Sequence, residues 1–241
     1  MPTEGYPINA QLKKYKENKD VTYSYNKGIE VLKLGKGLLN IYIVARQHPG
    51  ETIGSWMVEG LLKEYFNGTS IPPLKLKQIK NLFTITIVVM ANPVGVDMGH
   101  WYTNKKGQNL NRSWLHNKTP EINNIKKIVK KDGVLYLDLH GDEGSMKHFI
   151  TGCDLKNNSV YEFFNKKMNK FCPNYQLNDY YKNRGYKVYG TMDCFVKDKT
   201  LTIEGAMKHP IYKHKTIQDE GIEIGKAICK SIFDTHKFFY S

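Results

Sequence analysis

The chain has 241 residues, 40% hydrophobic and 24% charged, which suits a soluble core-forming protein and excludes a disordered one. Its 36 Lys+Arg against 23 Asp+Glu leave a formal charge of +13, a field that draws anionic partners. No apolar run reaches bilayer length, and the dispersed lysines accompany no helix-turn-helix, finger or aromatic strand motif, so a membrane span and specific nucleic-acid binding are both set aside.

Residues 1–20 are polar and lysine-rich and read as an extended or poorly ordered arm. Val21–Tyr25 and Glu30–Leu34 are short strand candidates around the turn Asn26-Lys27-Gly28. After Gly35-Lys36-Gly37, the apolar run Leu38–Val44 reads as a strand that ends in Ala45-Arg46-Gln47-His48-Pro49-Gly50-Glu51. Thr52–Tyr65 spaces Ile53, Trp56, Met57, Leu61, Leu62 and Tyr65 near the helical period and stops at Asn67-Gly68. Pro72-Pro73 marks a loop. Phe83–Met90 is β-branched and almost uniformly apolar, as a central parallel strand should be, and it ends at Asn92-Pro93-Val94-Gly95.

Residues 96–118 form a long, polar, glycine-punctuated connection of a kind that usually serves function. Pro120–Val129 reads as a helix with Pro120 near its start, and Val134–Leu139 as a strand delivering Asp138-Leu139-His140-Gly141-Asp142-Glu143-Gly144. Ser159–Phe171 and Ile217–Phe233 are helical, the latter interrupted by glycines. Gly185–Gly190 and Thr200–Ile203 are short strand candidates. Strands alternating with helices imply an α/β fold, a largely parallel or mixed sheet covered on both faces. With no repeat and no clean linker, residues 1–241 read as a single domain, residues 1–37 being a short N-terminal extension.

His48 and Glu51, three residues apart at one strand end, and His140 at another can converge on one cation. Two imidazoles and a carboxylate make a zinc-type set that leaves a position open for a water. Hydrolysis then needs a group to shuttle a proton, and Asp138, Asp142, Glu143 and Glu204 are all candidates. Asp138 shares a strand face with His140 and suits an orienting role. In the long connection, Arg112 beside Asn111 can clamp a planar carboxylate, which is how a free peptide C-terminus is recognised. Trp56, Trp101 and Trp114 read as packing residues. Cys153, Cys172, Cys194 and Cys229 are far apart with no CxxC pair and read as thiols in a reducing compartment, although their spacing also allows two disulfides.

The motifs Arg46-Gln47-His48-Pro49-Gly50-Glu51, Asn92-Pro93-Val94-Gly95, Gly107-Gln108-Asn109-Leu110-Asn111-Arg112, Asp138-Leu139-His140-Gly141 and Leu201-Thr202-Ile203-Glu204 stand in an order that resembles the zinc carboxypeptidase family. Within it, the sequence looks like the cytosolic carboxypeptidase branch and its microbial relatives. The resemblance implies a mixed, mostly parallel twisted sheet with helices on both faces, and one Zn2+ held by His48, Glu51 and His140. It implies that Asn111 and Arg112 hold the substrate carboxylate, and that Glu204 is the general base and acid. The implied activity is a cytoplasmic zinc metallocarboxypeptidase cleaving a C-terminal peptide or isopeptide bond. Its partner would be a peptide or protein C-terminus, with an acidic terminal residue such as glutamate favoured by the basic surface. An amidase acting on an N-acyl amino acid or cell-wall peptide would use the same clamp, and a non-catalytic module for acidic C-termini is the alternative of another class. Relatives commonly carry an arginine where Tyr102 stands, an aspartate where Asn109 stands, and an aspartate in place of Val94.

Overall fold

The computed structural model describes residues 8–69, 72–116, 119–151, 159–177, 189–196, 200–208 and 215–238. Val21–Asn26 (β1) and Ile29–Leu34 (β2) pair antiparallel from Val21↔Leu34 to Asn26↔Ile29. Lys27 and Gly28 both take positive φ, 50° and 86°, the two-residue turn whose twist matches that of paired strands. The arm expected over residues 1–20 is corrected in part: Ile8–Lys16 is a helix (α1), with Leu12 and Tyr15 on one face and buried in the core. Its residues 1–7 lie outside the described residues. Because β2 also pairs with the fourth strand, the segment before Leu38 supplies two strands of the main sheet.

Four strands run parallel at the centre: Leu39–Ala45 (β3), Phe83–Val88 (β4), Gly133–Asp142 (β5) and Thr200–Ala206 (β7). Phe149–Thr151 (β6) closes one edge antiparallel to β7, giving the order β1-β2-β4-β3-β5-β7-β6. The sheet is mixed and parallel at its centre, as expected. Ile41, Ile43, Leu135, Leu137, Leu201 and Ile203 bury on one face, beneath Ile53–Asn67 (α2), Ser159–Phe171 (α6) and Ile217–Thr235 (α8). The alternate residues Tyr42, Val44 and Tyr136 bury on the other, against Pro120–Ile128 (α5) and Met192–Val196 (α7).

Two local differences have plain causes. Pro72-Pro73, read as a loop, starts Pro73–Leu82 (α3), since Pro73 occupies the first helical turn where a missing N–H costs nothing. The glycines of the last helix do not interrupt it: α8 is continuous through Gly221 and Gly225 because they are where α2 crosses it. A Cβ at Gly225 would lie 2.0 Å from the Met57 carbonyl oxygen. Of the candidate strand 185–190, residues 185–188 lie outside the described residues and Tyr189-Gly190 is a turn; Cys153 also lies outside them. No described helix is long and apolar enough to cross a membrane.

The chain goes from β3 to β4 on one side and returns to β5 on the other side of β3. Strand order reverses there, and the carboxyl ends of β3 and β5 flank the crevice that such a reversal leaves.

Candidate metal centre

The chain leaves β3 through Arg46, whose φ of 60° is unusual for a residue with a side chain. The Arg46 guanidinium is buried and folds back, donating to Ser55 Oγ at 2.7 Å and to the Pro49 carbonyl. Asn92 braces the same loop: its Nδ2 donates to the Gln47 carbonyl at 3.2 Å and its Oδ1 accepts from Gly95 N at 3.1 Å, capping Pro93–Asp97 (α4). The loop from Arg46 to Glu51 is therefore held at both ends before any ligand binds.

His48, Glu51 and His140 come together with their candidate donor atoms all within 4.8 Å of one another, and all three are buried. The Glu51 carboxylate sits between two imidazoles, 2.6 Å from His48 Nδ1 and 2.8 Å from His140 Nδ1. It also accepts from Gly141 N at 3.0 Å. Both rings thus turn Nδ1 inward and Nε2 outward. His48 Nε2 lies 3.1 Å from Asn109 Oδ1, and His140 Nε2 lies 3.2 Å from Asp138 Oδ1. With Nε2 as the outer donor, each Nδ1 keeps a lone pair for a metal, and the residues present fit zinc: two nitrogens, one carboxylate and outer partners that fix the rings.

Burial alone would push the Glu51 carboxyl up, but the His140 charge and hydrogen bond, followed by those of His48, hold it down at about 2. Burial likewise opposes charge on His140, yet Asp138 and then Glu51 raise its pKa well above the usual imidazole range. Both shifts favour positive charge beside the Glu51 carboxylate, where a divalent cation held by the three residues would supply it.

The structure separates the proton-transfer candidates by their partners. Asp138 is occupied by Gln47 and His140, with Gln47 Nε2 at 2.6 and 2.8 Å from its two oxygens. Asp142 Oδ1 accepts from Gly144 N and Ser145 N and shapes a turn. Glu143 is exposed and accepts from the Tyr102 hydroxyl. Glu204 is the register partner of His140 on the adjacent strand, so both side chains leave the same sheet face. It is partly buried and has no hydrogen bond among the described residues. Burial lifts its carboxyl to about 8; His140 opposes, while Glu51, Asp142 and Asp138 add to the rise.

The expected clamp is less uniform. Leu110–Arg112 is a single 3-10 turn, tied by Asn109 Oδ1, which accepts from Asn111 N at 2.9 Å. Arg112 is exposed, with Nη1 donating to the Asn111 carbonyl at 2.8 Å and no carboxylate partner among the described residues. Asn111 is buried instead, its Nδ2 3.3 Å from His140 Nε2 and its Oδ1 without a partner among the described residues.

Of the three tryptophans, Trp56 and Trp114 are buried, while Trp101 is 46% exposed and packs with one part of its ring only. It lies over Gly50, where a Cβ would meet its ring at 2.4 Å, and its carbonyl accepts from Gly50 N at 2.9 Å. Tyr102 stands edge-on to His48 with ring centres 4.9 Å apart. Sequence reasoning placed Gln47 and Asn92 in the motifs but gave them no role, and it did not foresee the Tyr102–Glu143 link.

A family described as zinc carboxypeptidase matches residues 19–230. An uncharacterized protein of Zymomonas mobilis is 31% identical over 165 residues, covering 64% of this chain and 43% of that protein. Mouse cytosolic carboxypeptidase 3 is 32% identical over 149 residues, 56% of this chain and 14% of its own length. The chain therefore spans less than half the length of these relatives. Among solved structures, a metallo-carboxypeptidase from Pseudomonas aeruginosa in complex with (2-guanidinoethylmercapto)succinic acid superposes with a TM-score of 0.81 at 20% identity, over 95% of this chain and 68% of that one. A metallo-carboxypeptidase from Burkholderia cenocepacia gives 0.77 at 22% identity, over 96% and 69%. At these identities the two structures show the shared fold.

Proposed function

From the chain's membership in the zinc carboxypeptidase family, we propose that it is a zinc metallocarboxypeptidase removing a C-terminal residue through a peptide or isopeptide bond. The observation that carries the reading is the convergence of His48, Glu51 and His140, with Glu204 beside His140 in register. Zinc, when held by those three residues, supplies a Lewis acid for water and for the substrate carbonyl. Glu204 takes the proton from the attacking water and returns it to the leaving amine; its raised pKa suits a group that must do both near neutral pH. Arg112 reaches the substrate carboxylate with its exposed guanidinium, and Asn111 adds an amide once the substrate arrives. Asn109 keeps an acceptor against His48 although it is neutral, which supports metal binding without the aspartate of relatives.

The formal charge of +13 supports an acidic terminal residue such as glutamate. The same reading treats residues 1–241 as one catalytic domain acting in the cytoplasm, in keeping with the thiols Cys172, Cys194 and Cys229 and with the cytosolic relatives. Mass spectrometry of a mixed peptide pool incubated with zinc-loaded protein tests the activity. Loss of one C-terminal residue supports it. Cleavage of an N-acyl amino acid or cell-wall peptide would instead make the chain an amidase. Retention of acidic peptides without cleavage would make it a binding module, the reading favoured by Tyr102, a neutral donor already engaged with Glu143.

A further inference from the structure

We propose that Gln47 and Trp114 are positioning residues that determine which nitrogen of His140 is offered to the metal. Trp114 Nε1 donates to Gln47 Oε1 at 2.7 Å, and Gln47 Nε2 donates to both oxygens of Asp138 at 2.6 and 2.8 Å. Asp138 Oδ1 in turn lies 3.2 Å from His140 Nε2. Trp114, Gln47, Asp138 and His140 are all at most 1% exposed, so water does not substitute for any link.

The direction of this chain follows from its far end. An indole nitrogen can only donate. The oxygen of the Gln47 amide must therefore face Trp114, because the reversed amide would set N–H against N–H and a carbonyl oxygen against a carboxylate. Held that way, Gln47 presents only donors to Asp138, and Asp138 remains the acceptor for His140. The ring proton of His140 is thereby fixed on Nε2. When zinc takes the place of the proton on Nδ1, that nitrogen offers its lone pair on the side where Glu51 lies 2.8 Å away. The other tautomer would turn an N–H toward the metal and could not bind it.

Asn111 Nδ2, 3.3 Å from His140 Nε2, favours the wrong tautomer. Its buried Oδ1 has no partner among the described residues, however, and turning that amide over places the oxygen against the Nε2 proton. The turned amide then points its N–H groups away from His140. Asn111 can adapt in this way because nothing holds its oxygen; Gln47 cannot, because Trp114 does.

The inference rests on zinc binding by His140 and not on the reaction, so a protein that binds zinc and cleaves nothing leaves it standing. Competition for Zn2+ between the metal-free full chain and a chromogenic chelator measures the affinity. Trp114→Phe and Gln47→Leu should each weaken zinc binding by about 10–100-fold, the usual worth of a ligand-orienting partner. The double variant should bind no more weakly than Gln47→Leu alone, since a chain broken once loses nothing at the second break. Circular dichroism of the metal-free forms identifies variants that fold. Should neither fold, nuclear magnetic resonance of the isotope-labelled, zinc-loaded wild type decides. It should show an Nε2-bound proton on His140 and two inequivalent, slowly exchanging protons on the Gln47 side-chain amide. Wild-type affinity in a folded variant, additive losses in the double variant, or a freely exchanging Gln47 amide would overturn the assignment. A wild type that takes up no zinc would overturn the metal centre itself.

Discussion

Glu204 and Glu51 both feel the charge of His140, and their surroundings push them in opposite directions. If Glu204 has the proposed proton-transfer role, replacing it by Gln should lower turnover by about 10²–10⁴-fold while zinc content stays at the wild-type level. Glu143→Gln should change turnover far less, since Glu143 is exposed and turned to Tyr102. A reversal of these two effects in steady-state assays would remove Glu204 from its role. The raised pKa of Glu204 also has a sign that can be checked. In the unfolded chain the carboxyl ionises near its ordinary 4.5, whereas in the folded metal-free protein it does so at about 8. Between those values the folded state holds the extra proton, so wild-type stability falls relative to Glu204→Gln as pH rises from 4.5 to 8. Thermal melting of the two metal-free proteins across that window measures the difference, and adding zinc should shrink it, because the cation favours the ionised carboxylate. At this scale the ligands were legible in the sequence, because histidines and acids at strand ends stand out against apolar runs. Gln47 was not, since a neutral amide carries no signal until its partners Trp114 and Asp138 are brought beside it by folding.

Among the elements, the long apolar ones were readable and the lysine-masked ones were not. β4 and α2 announce themselves by uniform or periodic hydrophobicity. α3 hides its one buried isoleucine, Ile79, among Lys75, Lys77 and Lys80, and α1 carries Leu12 and Tyr15 among its lysines. The two residues have meaning only once a neighbouring surface exists to receive them. The glycines of α8 misled for the same reason: alone they look like breaks, and against α2 they leave no room for a side chain. Gly60 and Gly225 have no room for a methyl group, the former because a Cβ would lie 2.2 Å from the Ile222 carbonyl oxygen. Gly225→Ala should therefore destabilise the protein by about 1–3 kcal/mol, the usual cost of overpacking. A melting temperature lowered by several degrees is the expected reading for a chain of this size. Because α2 begins just after Glu51, the same variant should also weaken zinc binding; unchanged melting and unchanged affinity would mean that the two helices can separate without cost.

For the whole molecule, charge and assembly make separate demands. A net charge of +13 spread over the surface acts at a distance, and salt screens it over roughly 8 Å at physiological ionic strength. The KM for a peptide ending in glutamate should therefore rise with added salt, while that for a peptide with a neutral terminal residue should change little; equal salt dependence would place the preference in the clamp alone.

The order in which the sheet is assembled has a kinetic consequence. Glu51 and His140 are 89 positions apart along the chain, and they meet only when β5 lies beside β3. A folding chain must close that long loop, and dock a non-neighbouring strand, before three donors exist in one place. The ion thus has nothing to bind until the barrier is crossed, and it recognises the finished sheet. Zinc should then leave the refolding rate of the protein nearly unchanged and act almost wholly by slowing its unfolding. Stopped-flow measurements with and without Zn2+ would separate the two arms. In this protein the metal would set how long the native state lasts, and leave the time it takes to form to the strands.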